Sequence, residues 1–141
     1  MKHWLYTVSI IILSLASCSS QKKLVTQTPF TINAPSCQNW VGGRADSGSG
    51  ITLTLPVESS NSKVMFPEVY FRGQVTKAKF ENGVATCKYT KSNKATKIPF
   101  ELEADEAVIG YVENDDTAVK YFKISGIKEK QALIYPSKAR N

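Results

Sequence analysis

Apolar and polar residues alternate along much of the chain, and a period of two is the pattern of half-buried β-strands. Residues 51–57 (ITLTLPV) place aliphatic side chains on one side and threonines on the other. Residues 69–80 (VYFRGQVTKAKF) and 97–103 (KIPFELE) alternate in the same way, and residues 107–113 (AVIGYVE) are almost continuously apolar, as in a central strand. The pattern predicts a strand over each range, and a final strand in QALIYPS that Pro136 ends.

Turn-forming residues separate these runs. Asn82 and Gly83 lie between two β-prone runs, and both tolerate the positive φ that a type I′ hairpin turn requires. Residues 114–117 (NDDT) predict another hairpin. No window has the period of an amphipathic helix. The sequence therefore predicts an all-β domain of about seven to nine strands, either an antiparallel β-sandwich or a small barrel.

The first 17 residues have the layout of an export signal. Lys2 is followed by an apolar run over residues 4–13 that is too short to span a membrane as a helix. The next residues, Leu15-Ala16-Ser17-Cys18, resemble the lipobox of bacterial lipoproteins. The resemblance implies that the chain is cut before Cys18 and that the Cys18 thiol carries a diacylglycerol, which is the membrane anchor.

These features predict three segments within a length typical of one domain. Residues 1–17 form a signal peptide that is removed, residues 18–28 form the lipidated N-terminus and a tether, and residues 29–141 form a single β domain. Composition agrees with a folded domain, since 42% of the residues are hydrophobic and 21% are charged.

Lipidation of Cys18 leaves two cysteines, Cys37 and Cys87. An even pair in an oxidising compartment predicts a disulfide, with Trp40 packed beside it. Two buried free thiols are the alternative.

The single histidine, His3, lies in the predicted signal. A mature chain without histidine excludes Ser-His-Asp and Cys-His catalysis and lacks the commonest zinc ligand. Gly43 and Gly48 have the spacing of a phosphate-binding loop, but Ser49 replaces its lysine and a strand follows. We therefore expect no metal and no cofactor.

The loop that contains Trp40 and Arg44 is the candidate ligand loop, and the alternative is a flexible connection into a strand. Carboxylates cluster in residues 101–106 and 113–116. They are either solvated turn acids or a pair for glycoside hydrolysis, which needs two carboxylates at a set separation. The acids are Glu101, Glu103, Asp105, Glu106, Glu113, Asp115 and Asp116.

The chain is basic, with a formal charge of +6, and loss of the signal removes Lys2 and no acid, which leaves +5. Such a charge favours an anionic partner. The densest lysine cluster, residues 88–97, is expected to be a solvated loop. Export argues against nucleic acid.

Phrases spread over the mature chain resemble a group of small β-rich lipoproteins from flavobacteria and their relatives. They are W-x-x-G at residues 40–43, GSG at 48–50, VYFRG at 69–73, KIPFEL at 97–102, YFKISGI at 121–127 and YPS at 135–137. The resemblance implies an envelope address and no particular activity. The absence of Asp at position 19 favours the outer membrane, facing the periplasm, although surface display is an alternative.

The sequence thus predicts a membrane-anchored envelope lipoprotein that is not an enzyme. It would bind an unknown envelope protein or glycan, or support the envelope structurally. An inhibitor of a cell-wall hydrolase or protease and a carboxylate-dependent, glycan-active enzyme are the alternatives. The sequence does not predict an oligomeric state.

Overall fold

Two β-sheets form the structure, a computed structural model that describes residues 22–44, 46–59 and 63–136. The predicted signal and Cys18 lie outside the described residues. Ten strands lie within the described ranges. They are β1 (Phe30–Ile32), β2 (Ser36–Val41), β3 (Ser49–Ser59), β4 (Val64–Phe71), β5 (Gln74–Thr76), β6 (Lys79–Glu81), β7 (Val84–Tyr89), β8 (Ala107–Glu113), β9 (Lys120–Ile124) and β10 (Lys128–Ile134).

The strands divide into a large and a small sheet. The large sheet has the order β10-β2-β3-β7-β6, with β1 also paired to β3, and the small sheet has the order β5-β4-β8-β9. The all-β prediction is confirmed, and the two sheets are consistent with the sandwich rather than the barrel. One pair departs from the predicted antiparallel arrangement. The chain crosses from β9 to the far edge of the large sheet, so β10 runs parallel to β2.

The core lies between the two sheets and follows from the alternation. Leu53 and Leu55 of β3 face inward, as do Val69 of β4 and Ile109 of β8, and each is at most 1% exposed. Burial of each such side chain stabilises the fold by about 1.5–3 kcal/mol. Tyr89 joins the sheets, because its hydroxyl donates a hydrogen bond of 2.9 Å to the carbonyl oxygen of Val69.

Two hairpins use residues with positive φ. Asn82 (φ 51°) and Gly83 (φ 76°) connect β6 to β7, which confirms the predicted turn. Arg72 (φ 46°) and Gly73 (φ 76°) connect β4 to β5 in the same way. The prediction of one strand over residues 69–80 is therefore wrong, because the chain reverses at Arg72-Gly73 and then passes from the small sheet to the large sheet between β5 and β6.

The predicted strand over residues 97–103 is also absent, since these residues are irregular in the structure. The segment instead lies over the outer face of the small sheet. Phe100 packs against Tyr70 and Tyr121, with ring centroids 5.3 Å apart in both cases, and Ile98 and Leu102 pack on the same cluster. Pro99 lacks the N–H that a sheet ladder needs. The alternation of apolar and polar residues over 97–103 therefore indicates which side chains are buried. It does not indicate that the backbone pairs with another strand.

The end of the predicted tether contacts the domain. The N–H of Val25 donates to the carbonyl of Tyr121 on β9 (2.8 Å), and Leu24 forms a parallel bridge with the same residue. Lys22 Nζ donates to the Tyr121 hydroxyl (2.8 Å), which in turn donates to Oε2 of Glu68 (2.8 Å). Residues 22–25 are thus docked on the small sheet.

Cys37 and Cys87 are both buried and free, so the predicted disulfide is not formed in this structure. Cys37 pairs with Leu53 on one side of β3, and Cys87 pairs with Leu53 on the other. Two strand spacings place their Cα atoms about 9–10 Å apart. A disulfide needs a separation of about 4.4–6.8 Å, so Leu53 separates the two thiols.

Candidate functional site

The two outer sheet faces differ in what covers them. Residues 97–103 cover the small sheet, and the docked residues 22–25 pair along its edge at β9. On the large sheet, Cys37, Leu53 and Cys87 face the core, so alternate residues face outward. We call this surface the open face. Its outward residues include the buried Ser36 and a set that is half-buried or exposed, namely Gln38, Trp40, Gly50, Thr52, Thr54, Glu58, Thr86, Lys88, Lys79, Glu81, Lys128 and Lys130.

Strand register arranges the open face in rows that cross the sheet. One row runs from Lys130 through Gln38 and Thr52 to Lys88, one residue from each of four adjacent strands. Three strand spacings separate the ends of the row by about 14 Å. The row therefore presents an amide and a hydroxyl between two ammonium groups.

The open face is positively charged. Two carboxylates lie on it, both away from the Lys130–Lys88 row: Glu81 lies at the edge and is paired with Lys79 at 3.2 Å, and Glu58 is exposed near the end of β3 that pairs with β1. Lys88, Lys128 and Lys130 form no ion pair with any residue that the structure describes. The acid of β10, Glu129, is engaged elsewhere, because it accepts hydrogen bonds from Asn39 (2.6 Å) and Arg72 (3.3 Å). An anion would meet uncompensated charge on this surface.

Trp40 lies at one end of the open face, directly over the backbone of Gly50 on the neighbouring strand. A Cβ at position 50 would lie 2.3 Å from the carbonyl oxygen of Tyr89 and 2.8 Å from Cζ2 of the indole, both closer than real contacts allow. Only glycine therefore fits between the backbone of β7 and the Trp40 ring. The indole is half-buried and lines two adjoining grooves of about 370 and 300 Å³.

The far wall of these grooves is a single 3₁₀ turn at Lys91–Asn93. The side-chain oxygen of Asn93 accepts a hydrogen bond from the backbone N–H of Thr90 (2.8 Å), and the N–H of Asn93 returns one to the Thr90 carbonyl (3.0 Å). These bonds fix the turn and place Lys91 beside Trp40. The prediction of a solvated loop over residues 88–97 did not include this arrangement, in which Lys88 and Tyr89 belong to β7 and residues 91–93 form the turn. The signal was the Thr90–Asn93 spacing, which is typical of a capped turn.

The other predicted site residues are placed differently. Arg44 is exposed in the loop between β2 and β3 and lines neither groove. Among the clustered acids, Glu106 pairs with Lys123 at 2.6 Å and Glu113 pairs with Lys120 at 3.8 Å. The remaining acids are exposed. They are Glu101, Glu103, Asp105, Asp115 and Asp116.

A wider cleft of about 620 Å³ lies between β1 and β9, on the side of the docked N-terminus. Its lining is mostly apolar and hydroxyl-bearing, with Phe30, Phe122 and Thr31 among its residues. Lys123 is the charged residue of this lining, and Glu106 already neutralises it. The cleft therefore offers less for recognition of a charged ligand than the open face does.

Over the described ranges, no group of three or more histidine, cysteine or acidic residues is arranged to hold a metal ion. The same part of the chain contains no helix long and apolar enough to cross a membrane.

Comparison of the chain with protein-family models, with curated proteins and with solved structures found no match. The chain's own residues are therefore the basis for a functional argument. They define a β-sandwich in which residues 97–103 cover the outer face of the small sheet. No segment within the described ranges covers the outer face of the large sheet, which is basic and borders an aromatic groove.

Proposed function

We propose that the chain is a lipid-anchored, non-catalytic binding module of the bacterial cell envelope. The observation that carries this proposal is the contrast between the two outer sheet faces. The chain covers the small sheet with Ile98, Phe100 and Leu102, yet on the open face Lys88, Lys128 and Lys130 form no ion pair within the described residues. A sheet face of hydroxyls, ammonium groups and one groove-lining tryptophan suits recognition of a ligand.

The proposed address is the outer membrane, with the domain facing the periplasm. It is supported by Leu15-Ala16-Ser17-Cys18 behind an apolar run, which resembles a lipobox. One acyl chain binds a membrane only marginally, whereas two or three anchor a protein stably. Lipidation of Cys18 would therefore hold the domain permanently at the membrane.

The positions of the carboxylates favour binding over glycoside hydrolysis. Glu106 and Glu113 are both ion-paired, and the other clustered acids are exposed at turns. A catalytic acid needs an environment that keeps it protonated, and exposed turns do not provide one. Release of sugars from envelope glycan that stopped when these acids were replaced would contradict the proposal.

Mass spectrometry of the protein extracted from membranes tests the anchor. We expect the chain to begin at Cys18 and to carry diacylglycerol and a further acyl group. Cys18→Ala should leave the precursor uncut or release it from the membrane, whereas Ser17→Ala should be processed normally. An unmodified Cys18, or a mature N-terminus elsewhere, would contradict the proposed anchor.

A further inference from the structure

We infer that the open face binds an acidic polysaccharide, laid across the strands with one of its sugar rings against Trp40. The inference rests on the proposed function as a binding module and adds the class of ligand. It follows from four observations, namely the charge of the face, the arrangement of its rows, the position of Trp40 and the side of the molecule on which the chain enters.

Charge complementarity selects an anion. Lys88 and Lys130 end one row, Lys128 begins the next, and Lys91 borders the groove. None of the four is neutralised by another residue in the described ranges. An anion that approaches this face gains attraction without first displacing an internal partner.

The spacing selects a polymer. The ammonium-bearing positions at the ends of the Lys130–Lys88 row lie about 14 Å apart across four strands. A single sugar ring cannot reach both ends, whereas a chain of linked sugars with periodic carboxylates can. Between the lysines lie the Gln38 amide, whose nitrogen already donates one hydrogen bond to the Gln131 carbonyl (2.8 Å), and the Thr52 hydroxyl. An amide that keeps a second N–H and a carbonyl oxygen, and a hydroxyl, can exchange hydrogen bonds with sugar hydroxyls.

Trp40 supplies the apolar part of the recognition. A pyranose ring has a face of C–H bonds, and the negative face of an indole attracts such polarised hydrogens. The backbone of Gly50 supports one face of the indole, and grooves adjoin the ring on the side of the Thr90–Lys91 turn. The ring is therefore already in position before a ligand binds, which lowers the entropic cost of binding.

The entry of the chain selects a polysaccharide over a membrane surface. Residues 24–25 pair with β9, the edge strand of the small sheet, and the Lys22 side chain reaches the Tyr121 hydroxyl in the cluster on the outer face of that sheet. The open face belongs to the other sheet and lies on the opposite side of the sandwich. A lipid attached close to Lys22 would therefore place the β9 edge and the outer face of the small sheet nearer to the bilayer than the open face.

The test is titration of the protein as isolated from cells, in a nonionic detergent, with alginate oligomers, which carry a carboxylate on each sugar. Loss of residues 1–17 leaves Trp40 as the single tryptophan, so its fluorescence reports binding. We expect saturable binding that weakens as salt rises. Oligomers whose carboxylates have been reduced to alcohols should bind at least about tenfold more weakly.

Variants locate the site. Trp40→Ala should weaken binding about tenfold, measured by calorimetry. Lys88→Gln with Lys130→Gln should weaken it by a similar factor and flatten the salt dependence. These two lysines are exposed, so their replacement leaves the fold intact. The control variant, Lys63→Gln with Lys97→Gln, also removes two positive charges, but at positions outside the open face. It should change the affinity less than twofold.

Several outcomes would overturn the inference. They are equal effects of the two lysine pairs, equal affinity for the carboxyl-reduced oligomers, absence of binding, and tighter binding to single-stranded DNA or to vesicles of anionic phospholipid than to alginate. Because the assay does not depend on anchoring, failure here and failure of the proposed anchor at Cys18 are separate results.

Discussion

At the scale of single residues, burial holds the groups around Leu53 in their neutral forms. Burial raises the pKa of the Cys87 thiol to about 12 from an ordinary value of 9.0. Burial also raises the pKa of the Tyr89 hydroxyl, and the neighbouring Cys87 raises it further. Burial raises the pKa of the Cys37 thiol as well. The thiols are thus packing groups with little thiolate at neutral pH, and reactive chemistry at either is disfavoured.

This predicts a loss of stability in alkali. The neutral Cys87 thiol contributes its full share to the free energy of unfolding below about pH 9. That share is lost between about pH 9 and 12, because in this range the thiol is already deprotonated in the unfolded chain but still protonated in the folded one. The slope is about 1.4 kcal/mol per pH unit. From pH 8.5 to 10.5, the free energy of unfolding in urea should fall by about 2 kcal/mol more in the wild type than in Cys87→Ala.

Parallel pH dependences of wild type and Cys87→Ala would contradict that prediction. Alkylation provides the accompanying control. Both Cys37 and Cys87 should become labelled without prior reduction once the protein is unfolded in urea, and neither should be labelled rapidly in the folded protein. A disulfide in the isolated protein would instead leave both unlabelled until reduction.

At the scale of elements, the segment over residues 97–103 stabilises the small sheet as a strand would not. Its apolar residues seal Tyr70, Val108 and Tyr121 from water on the outer face. Tyr70 shows the result, since burial and the neighbouring Glu68 both raise its pKa. The segment therefore acts as a third layer on one side of the sandwich.

Phe100→Ala should lower the free energy of unfolding by about 3–4 kcal/mol, because a large buried ring is lost and the cavity cannot fully close. Phe80→Ala is the matched control. Phe80 is 40% exposed on an edge strand and packs mainly on Phe66, so we expect about 1 kcal/mol. Chemical unfolding measures both, and equal losses would show that the segment is not packed as described.

The alternation of residues predicted much of this architecture but not all of it. It identified β3, β8 and the Asn82-Gly83 turn, and it also predicted that Ile98, Phe100 and Leu102 are buried. It could not show that residues 97–103 lack a pairing partner, because periodicity reports the environment of side chains and not hydrogen bonds.

The candidate site depends on contacts between distant parts of the sequence. Trp40 was identified as a candidate, but its neighbour Lys91 lies far along the chain and arrives only through the registers of β2, β3 and β7. Arg44, its neighbour in sequence, lines neither groove. A single sequence does not specify strand order, so the rows of the open face could not be predicted.

At the scale of the whole molecule, residues 22–25 hold the start of the described chain against β9. Lys22, Leu24 and Val25 all contact Tyr121, and the hydrogen bond to Tyr121 raises the pKa of Lys22. The Lys22 ammonium also lies 4.6 Å from the centre of the Tyr121 ring. These contacts shorten the predicted tether, because only residues 19–21 separate Cys18 from the docked segment.

Val25→Pro should release the segment, because proline cannot donate the hydrogen bond to the Tyr121 carbonyl. Loss of about 1 kcal/mol from the docked state should speed trypsin cleavage after Lys22 and Lys23 by about five- to tenfold. Thr26→Pro is the control and should cleave like the wild type. Equally faster trypsin cleavage in both variants would show that proline changes how trypsin cleaves this segment, and that docking is not responsible.

The docked segment also limits where the protein can act. With Cys18 as the anchor that we propose, four residue steps allow a reach of at most about 14 Å between the lipidated residue and Lys22. The molecule would then diffuse only within a layer about as thick as itself, and a polymer outside that layer would never meet it. Several copies of the protein bound along one polysaccharide chain would hold that chain parallel to the bilayer, at a height fixed by the thickness of the sandwich.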